Sequence, residues 1–381
     1  MSKGLSLYIH WPFCLSKCPY CDFNSHVAGG PVDNPRWAKA LIREMGHFAA
    51  ESSNRRLESV FFGGGTPSTM IPETSAQLIE AARSFWDTAE NLEISLEANP
   101  TSVEAGKLKD FADAGVNRLS LGVQSFNDKS LKFLGREHSS DDAKVAIALA
   151  RENFPRFSFD LIYGLPGQSI DDWKIELNQA IEMAGGHLSL YQLSVEKGTP
   201  FFRDGVPETD PDSGADLFNL THELTSLADL KAYEISNHAR PGHECRHNMK
   251  IWRGGDYIGI GPGAHGRLTT NQGTDALYQV HEPARWLDRV EKEGHATGKR
   301  TSLSARERCE EIIMTGLRLT EGVGHEDFKS LTGQPLEKTL DFDTINRLRD
   351  GGFLVVDDKG LRATNEGRLC LNAVLSDLLN Y

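Results

Sequence analysis

The sequence predicts an α/β protein, an open and incomplete (β/α)6 barrel of the TIM type followed by a smaller C-terminal helical domain of winged-helix character. Three observations carry this. Short apolar runs alternate with longer segments of helical period up to about residue 195, the mark of repeated βα units and a parallel sheet. The runs number six, fewer than a closed eight-stranded barrel requires. Near residue 300 the alternation gives way to a helix-rich stretch. The expected division is a barrel over 1–295, with a rim segment over 196–295, and a C-terminal domain over 296–381.

The expected strands are LSLYIHW (5–11), LESVFFGG (57–64), LEISLEAN (92–99), RLSLGVQS (118–125), RFSFDLIYG (156–164) and HLSLYQLSV (187–195). Helical patterns lie between them, most clearly after Gln168. There Ile170, Trp173, Leu177, Ala180 and Ala184 recur at three- and four-residue steps behind a Ser169 cap and two early aspartates, which sets one face on the sheet. A Gly/Pro/Asp-rich stretch, Lys197 to Gly214, leads to a helix and then to a segment read as irregular from Tyr233 to Leu268. Beyond it SLSARERCEEIIMTGLRL, DTINRLRDGG, FLVVDDKGLRAT and NEGRLCLNAVLSDLL read as helix, helix, β-hairpin and helix, the order of a winged helix. Residues 301–381 carry 10 Lys and Arg against 14 Asp and Glu, so a partner-docking or lid role is expected in place of DNA binding.

Composition narrows the class. With 39% hydrophobic and 25% charged residues the chain is that of an ordinary globular protein. No stretch reaches the roughly 18 apolar residues of a membrane span, and Met1 to Tyr8 lacks the apolar run of a secretion signal; a cytoplasmic protein, not integral to a membrane, is expected. A formal charge of −13 repels polyphosphate and argues against nucleic acid.

The six cysteines are unevenly spread: Cys14, Cys18 and Cys21 crowd together, while Cys245, Cys309 and Cys370 stand alone. The CxxxCxxC triplet follows the first strand, at the end where barrel enzymes place reactive groups. Three thiolates can each hold one corner of a four-iron cluster, leaving the fourth iron open to a ligand. A structural zinc site completed by Asp22, His26 or Cys245 is the alternative, although no second CxxC pair is present.

The segment YIHWPFCLSKCPYCDF resembles the cluster loop of the radical S-adenosylmethionine (SAM) proteins. That resemblance implies a [4Fe-4S] cluster on Cys14, Cys18 and Cys21, with SAM chelated to the open iron. It implies further roles around SAM. Gly64, Gly65 and Thr66, in the GGGTP that closes the second strand, approach the methionyl ammonium through backbone free of Cβ atoms. Glu97 in EANP grips ribose hydroxyls, Gln124 and Asp160 add polar contacts at their strand ends, and Arg136 in LGRE pairs with the SAM carboxylate. Tyr20 lies against adenine, and Tyr8 near the methionyl group.

From Leu5 onward the chain is similar to the branch that holds oxygen-independent coproporphyrinogen III oxidase and the heme chaperone HemW. The oxidase pattern has another cysteine two residues after the third and a long N-terminal arm. Here Phe23 stands at that place and 13 residues precede Cys14, which points to the chaperone type. RHNMKIW (246–252) resembles the HNxxYW heme-associated motif, departing at Ile251. The resemblance implies heme contacts for His247 and Trp252, with Cys245 as a rival thiolate ligand. Heme and apo-hemoprotein acceptors, membrane-associated respiratory enzymes among them, are the expected partners. A radical decarboxylase acting on coproporphyrinogen III and a radical SAM enzyme of another substrate stay open beside the chaperone. Gly261 to Gly266 satisfies GxGxxG but opens no helix after a strand, and reads as a glycine-rich rim loop instead of a dinucleotide fingerprint.

Overall fold

A computed structural model describes residues 4–379. All six expected strands form: β1 (Gly4–Trp11), β2 (Arg56–Gly64), β3 (Asp87–Ala98), β4 (Arg118–Gln124), β5 (Arg156–Tyr163) and β6 (His187–Gln192). They pair in parallel in sequence order, with helices between them. In the helix α1 (Asn34–Ser52) one stripe from Trp37 to Phe48 is buried on the sheet. The helix Ile170–Met183 starts with a capping box between Ser169 and Asp172 and buries Trp173, Leu177 and Ala180, as its periodicity predicts.

The barrel stays open, and its first strand is not an edge. The expectation of an irregular backbone from Tyr233 to Leu268 is corrected here. That stretch contains β8 (Asn237–Ala239), the helix Arg246–Trp252, β9 (Tyr257–Ile260) and most of β10 (His265–Thr270). With β7 (Lys231–Ala232), β11 (Gly273–Gln279) and β12 (Thr297–Ser302) they complete a 12-stranded sheet of order β12-β11-β10-β9-β1-β2-β3-β4-β5-β6-β8-β7. β9 adds a seventh parallel strand beside β1. Its YIGI sequence lacks the alternation of a half-buried strand, because Gly259 exists to let β10 approach: a Cβ there would lie 2.0 Å from the His265 carbonyl oxygen. The GxGxxG run is a loop from Gly261 to Ala264, and its last two residues open β10. It is anchored by Glu44 of α1, which accepts hydrogen bonds from the N–H groups of Gly261 (2.8 Å) and Ala296 (2.8 Å) and from Trp286 Nε1 (3.0 Å).

The barrel sheet passes the expected division at 295/296 and ends at Ser302. A separate hydrophobic core then begins at Cys309 and runs to Leu379. It is built by the helices Ala305–Gly316, His325–Thr332, Phe342–Asp350 and Leu371–Leu379 and a three-stranded sheet of Val323–Gly324, Gly360–Ala363 and Leu354–Val356. The winged-helix order read from the sequence is therefore present. Among the described residues no helix is long and apolar enough to cross a membrane.

Candidate cofactor site

The loop after β1 is fixed before any ligand is considered. Cys14 and Val27 pair in a two-residue parallel ladder, and the Lys17 ammonium folds back onto the carbonyls of Phe23 (3.4 Å) and Ser25 (3.2 Å). Asn24 ties the loop to the rim, its amide donating to the carbonyls of Pro262 (2.9 Å) and His281 (2.8 Å). Its own carbonyl accepts from His10 Nε2 at 2.9 Å, while Tyr8 Oη bonds His10 Nδ1 at 3.0 Å.

Cys14, Cys18 and Cys21 are free, partly exposed thiols lining one cavity of about 440 Å³, within the usual range of cofactor pockets. Each sulfur has a polar neighbour. Thr66 Oγ1 donates to Cys14 Sγ at 3.3 Å, Arg136 Nη1 to Cys18 Sγ at 3.2 Å, and Ser25 Oγ lies 3.6 Å from Cys21 Sγ. Donors aimed at sulfur suit thiolates bearing a cluster. Cys245 lies elsewhere, buried with its thiol 3.7 Å from Glu93 Oε1, and His26 bonds Asn24 Oδ1 at 2.8 Å. Among the described residues no three His, Cys, Asp or Glu side chains converge on one ion. A cubane, by contrast, takes each thiolate at a separate corner.

The strand ends bring the expected polar groups to the same cavity: Gly64, Gly65, Thr66, Glu97, Gln124, Arg136 and Asp160 all line it, with Tyr20 on the wall. Tyr8 lies just under the floor, its ring 2.9 Å from where a Cβ of Gly63 would stand. The glycines have a reason beyond approach to a ligand. Gly64 has φ +111°, and a Cβ there would fall 2.5 Å from the His10 ring; at Gly65 it would meet the backbone of Pro12 and Phe13 at 2.8 Å. The run is what lets β2 pass beneath the cysteine loop. Gln124 ends β4 with φ +69°, a left-handed conformation that costs a residue bearing a Cβ.

Burial pushes the Glu97 carboxyl up to about 8, and the nearby Asp160 adds to the shift against an N–H bond from Gly64. Burial likewise raises Asp160 to about 6, opposed by bonds from Ser189 and Ser120 and by Arg118 and Arg136. Two desolvated carboxyls facing one cavity are suited to a cationic, hydroxyl-bearing ligand. Arg136 is held by Asn99 Oδ1 (2.5 Å) and the Gly122 carbonyl (2.8 Å), while among the described residues its buried Nε makes no hydrogen bond. An unpaired guanidinium N–H beside the cysteines is a ready donor for a carboxylate or a cluster sulfide. The residues present thus fit a [4Fe-4S] cluster with SAM beside it.

Sequence reasoning missed the residues that position this set. Asn99, next to Glu97 in EANP, donates to Thr66 Oγ1 at 3.2 Å and accepts from Arg136; its polarity at a strand end was the available signal. His10 and Asn24 gave no local signal.

His247 and Trp252 are not brought to the cavity. The helix Arg246–Trp252 packs on the side of the strand N-termini, with the Cys245 and His247 ends over Glu93 of β3. His247 is 2% exposed. Its Nδ1 shares a hydrogen bond with Ser59 Oγ at 3.0 Å, its ring stacks on Phe61 at 5.0 Å, and burial holds its pKa down at about 4. Trp252 lies under the Arg318 guanidinium, 5.7 Å from the ring centroid.

Comparison with known proteins agrees with this geometry. The radical SAM superfamily matches over residues 8–179 and the HemN C-terminal domain over residues 303–370. "Radical S-adenosyl methionine domain-containing protein 1, mitochondrial" of Bos taurus is 39% identical over 393 residues, covering 100% of this chain and 88% of that protein. "Heme chaperone HemW" of Escherichia coli is 37% identical over 373 residues, covering 97% of each. Among solved structures, coproporphyrinogen III oxidase from Escherichia coli superposes with a TM-score of 0.83 at 22% identity, over 99% of this chain and 90% of that one; at that identity the likeness speaks for the fold. Full-length kinship to these proteins, with the cysteine triplet, the strand-end polar set and the C-terminal domain all in place, makes this chain a member of the HemW family of radical SAM proteins.

Proposed function

We propose that the chain is a heme chaperone, which binds heme and passes it to apo-hemoproteins in the cytoplasm while carrying a [4Fe-4S] cluster and SAM. The observation that carries the proposal is the 37% identity to a heme chaperone over 97% of both chains. Phe23, in place of the oxidase cysteine, favours the same reading over the decarboxylase.

In this reading Cys14, Cys18 and Cys21 hold the cluster. When bound, cluster and SAM together supply one-electron chemistry at the sulfonium. The chain's own groups bind and orient. The carbonyls around Gly64, Gly65 and Thr66 take the methionyl ammonium, and Arg136 offers its free Nε–H to the carboxylate. Glu97 accepts from the ribose hydroxyls, Gln124 and Asp160 line the same wall, and Tyr20 backs the adenine. Tyr8 fixes His10, and so the loop, from below. His247, enclosed by Ser59, Phe61 and Tyr8, is assigned packing beneath the cavity in place of heme ligation, and Trp252 a cation–π contact.

The test is transfer. Anaerobically purified protein loaded with hemin is mixed with an apo-hemoprotein, and the acceptor's absorption band is followed. Loss of heme from the donor with gain by the acceptor is expected; failure to take up heme at micromolar concentration refutes the proposal.

A further inference from the structure

A chain of hydrogen bonds runs down the barrel interior from the cofactor cavity. Asp160 of β5 lines that cavity and pairs in the parallel ladder with Ser189 of β6, whose hydroxyl shares a hydrogen bond with its carboxyl. From there Ser189 Oγ lies 3.4 Å from Ser158 Oγ, Ser158 Oγ 2.7 Å from His187 Nδ1, and His187 Nε2 2.8 Å from Tyr233 Oη. The Cys245 N–H donates to the same Tyr233 oxygen at 3.3 Å. Ser189, Ser158, His187 and Tyr233 are all buried. Tyr233 lines a second cavity, a cleft of about 1120 Å³ whose walls include Arg56 at the start of β2 and Thr320 and Leu331 of the C-terminal domain. The path therefore joins the mouth of the barrel to its base.

Hydroxyls and a neutral imidazole each donate and accept, so the chain has two complete arrangements. With Asp160 ionised, every hydrogen points toward it: Tyr233 donates to His187 Nε2, His187 Nδ1–H to Ser158, Ser158 to Ser189, and Ser189 to the carboxylate. With Asp160 protonated, every hydrogen points away, His187 carries its proton on Nε2, and Tyr233 accepts from both His187 and Cys245. Its own hydrogen is then left for a third partner. One proton taken up at Tyr233 converts the first arrangement into the second, because each group passes its hydrogen one step on and Asp160 keeps the last. No member but Asp160 changes charge. Such a relay needs a histidine that stays neutral, and burial, ahead of Arg118, Arg156, His238 and His243, holds the His187 imidazole well below its ordinary value. It also needs an end group that can change state. Burial holds Asp160 up at about 6, and the carboxyl faces Glu97, Arg118, Arg136 and Tyr191.

We infer that these side chains form a proton relay, which couples the charge of Asp160 in the cofactor cavity to the tautomer of His187 and to the donor state of Tyr233 at the cleft. The inference rests on SAM occupying the cavity, because its sulfonium draws Asp160 to the ionised form and so selects the arrangement that points upward. A ligand that fills the mouth leaves this route for the displaced proton. Occupancy of the cavity is then felt at the cleft that the C-terminal domain shares.

The experiment is nitrogen magnetic resonance on cluster-loaded full-length protein with ¹⁵N-labelled histidine, the His187→Gln spectrum identifying the signal. Iron content and SAM affinity are measured on every sample. Without SAM, the His187 proton is expected on Nε2 at about pH 5 and on Nδ1 at about pH 8. Saturating SAM at about pH 5 should produce the Nδ1 form by itself. Asp160→Asn should remove the response to pH. Ser158→Ala should keep iron and SAM binding while fixing the tautomer, and Ser189→Ala repeats the cut one step nearer the cavity should the first variant lose iron. Tyr233→Phe deprives Nε2–H of its acceptor, so the midpoint of the swap should fall by about one pH unit. A single tautomer across this pH range, or a swap that persists in the serine variants, overturns the relay. Wild-type protein that binds SAM at about pH 5 without moving the His187 proton also overturns it and leaves the cofactor reading standing. Wild-type protein that binds no SAM overturns that reading and the relay with it.

Discussion

Raising the pH from 7 to 9 is expected to tighten SAM binding about tenfold, and Glu97 is the reason. The carboxyl sits buried at the end of β3 with its pKa pushed up to about 8, by burial first and by Asp160 second. At pH 7 about one molecule in ten then holds it ionised. SAM carries a sulfonium in addition to its ammonium and carboxylate, so its net charge favours the ionised carboxylate, and ribose hydroxyls donate more strongly to a charged acceptor. Binding must first remove the proton, which at pH 7 costs about 1.4 kcal/mol, one pKa unit. The sign follows from linkage: the bound state holds fewer protons than the free state, so affinity rises with pH until it levels above about 8. Isothermal titration of the cluster-loaded protein in two buffers of different ionisation enthalpy should show, at pH 7, nearly one proton more released by the wild type than by Glu97→Gln, which retains only the proton that the SAM amino group loses on chelation. Glu97→Gln should bind weakly and lack the Glu97 part of the slope. Asp160→Asn removes the neighbouring charge and should shift the midpoint downward. A wild-type affinity that rises from pH 7 to 9 no more steeply than that of Glu97→Gln, with no extra proton release, would refute the reasoning, because it would mean that SAM accepts Glu97 in either state.

Four further outcomes follow from contacts already described. Cys18→Ala should abolish the brown chromophore and the loading of about four irons per chain, measured by iron assay after anaerobic reconstitution. Arg136→Ala removes the donor at 3.2 Å from Cys18 Sγ together with its charge, so the cluster potential should fall on the order of 50 mV in a redox titration followed by electron paramagnetic resonance. Glu44→Gln places an amide nitrogen where N–H groups of Gly261, Trp286 and Ala296 need acceptors, and should cost about 1–3 kcal/mol in a urea titration. Incubation with coproporphyrinogen III, SAM and reductant should give no protoporphyrinogen by chromatography; its formation would favour the decarboxylase.

The parallel strands were legible because a buried strand leaves a contiguous apolar run and the chain between two such runs must be a helix. The cofactor side chains were legible for a related reason: a polar residue ending an apolar run has one place to go in a barrel, the mouth. What holds them there was not. Arg136 reaches Cys18 across 118 residues and Asn24 reaches His281 across 257, and no local pattern records a contact of that span. The strand Tyr257–Ile260 was hidden by the same glycine that makes it possible.

The segment His247 to Trp252, for which resemblance to a heme-associated motif implies heme contacts, enters an interior that is already polar. Glu93 there accepts from Arg156 at 2.6 Å and from the His247 N–H at 3.1 Å, and Ser6, Ser59 and Ser158 are all fully or nearly fully buried. A barrel open along one side cannot fill its lower half with branched aliphatics from every strand, so it closes that end with a hydrogen-bonded layer capped by a short helix. Neutral histidine serves such a layer well, since one ring nitrogen can donate while the ring face stacks on Phe61. Burial that drives the imidazole pKa to about 4 also keeps it from solvent-borne iron.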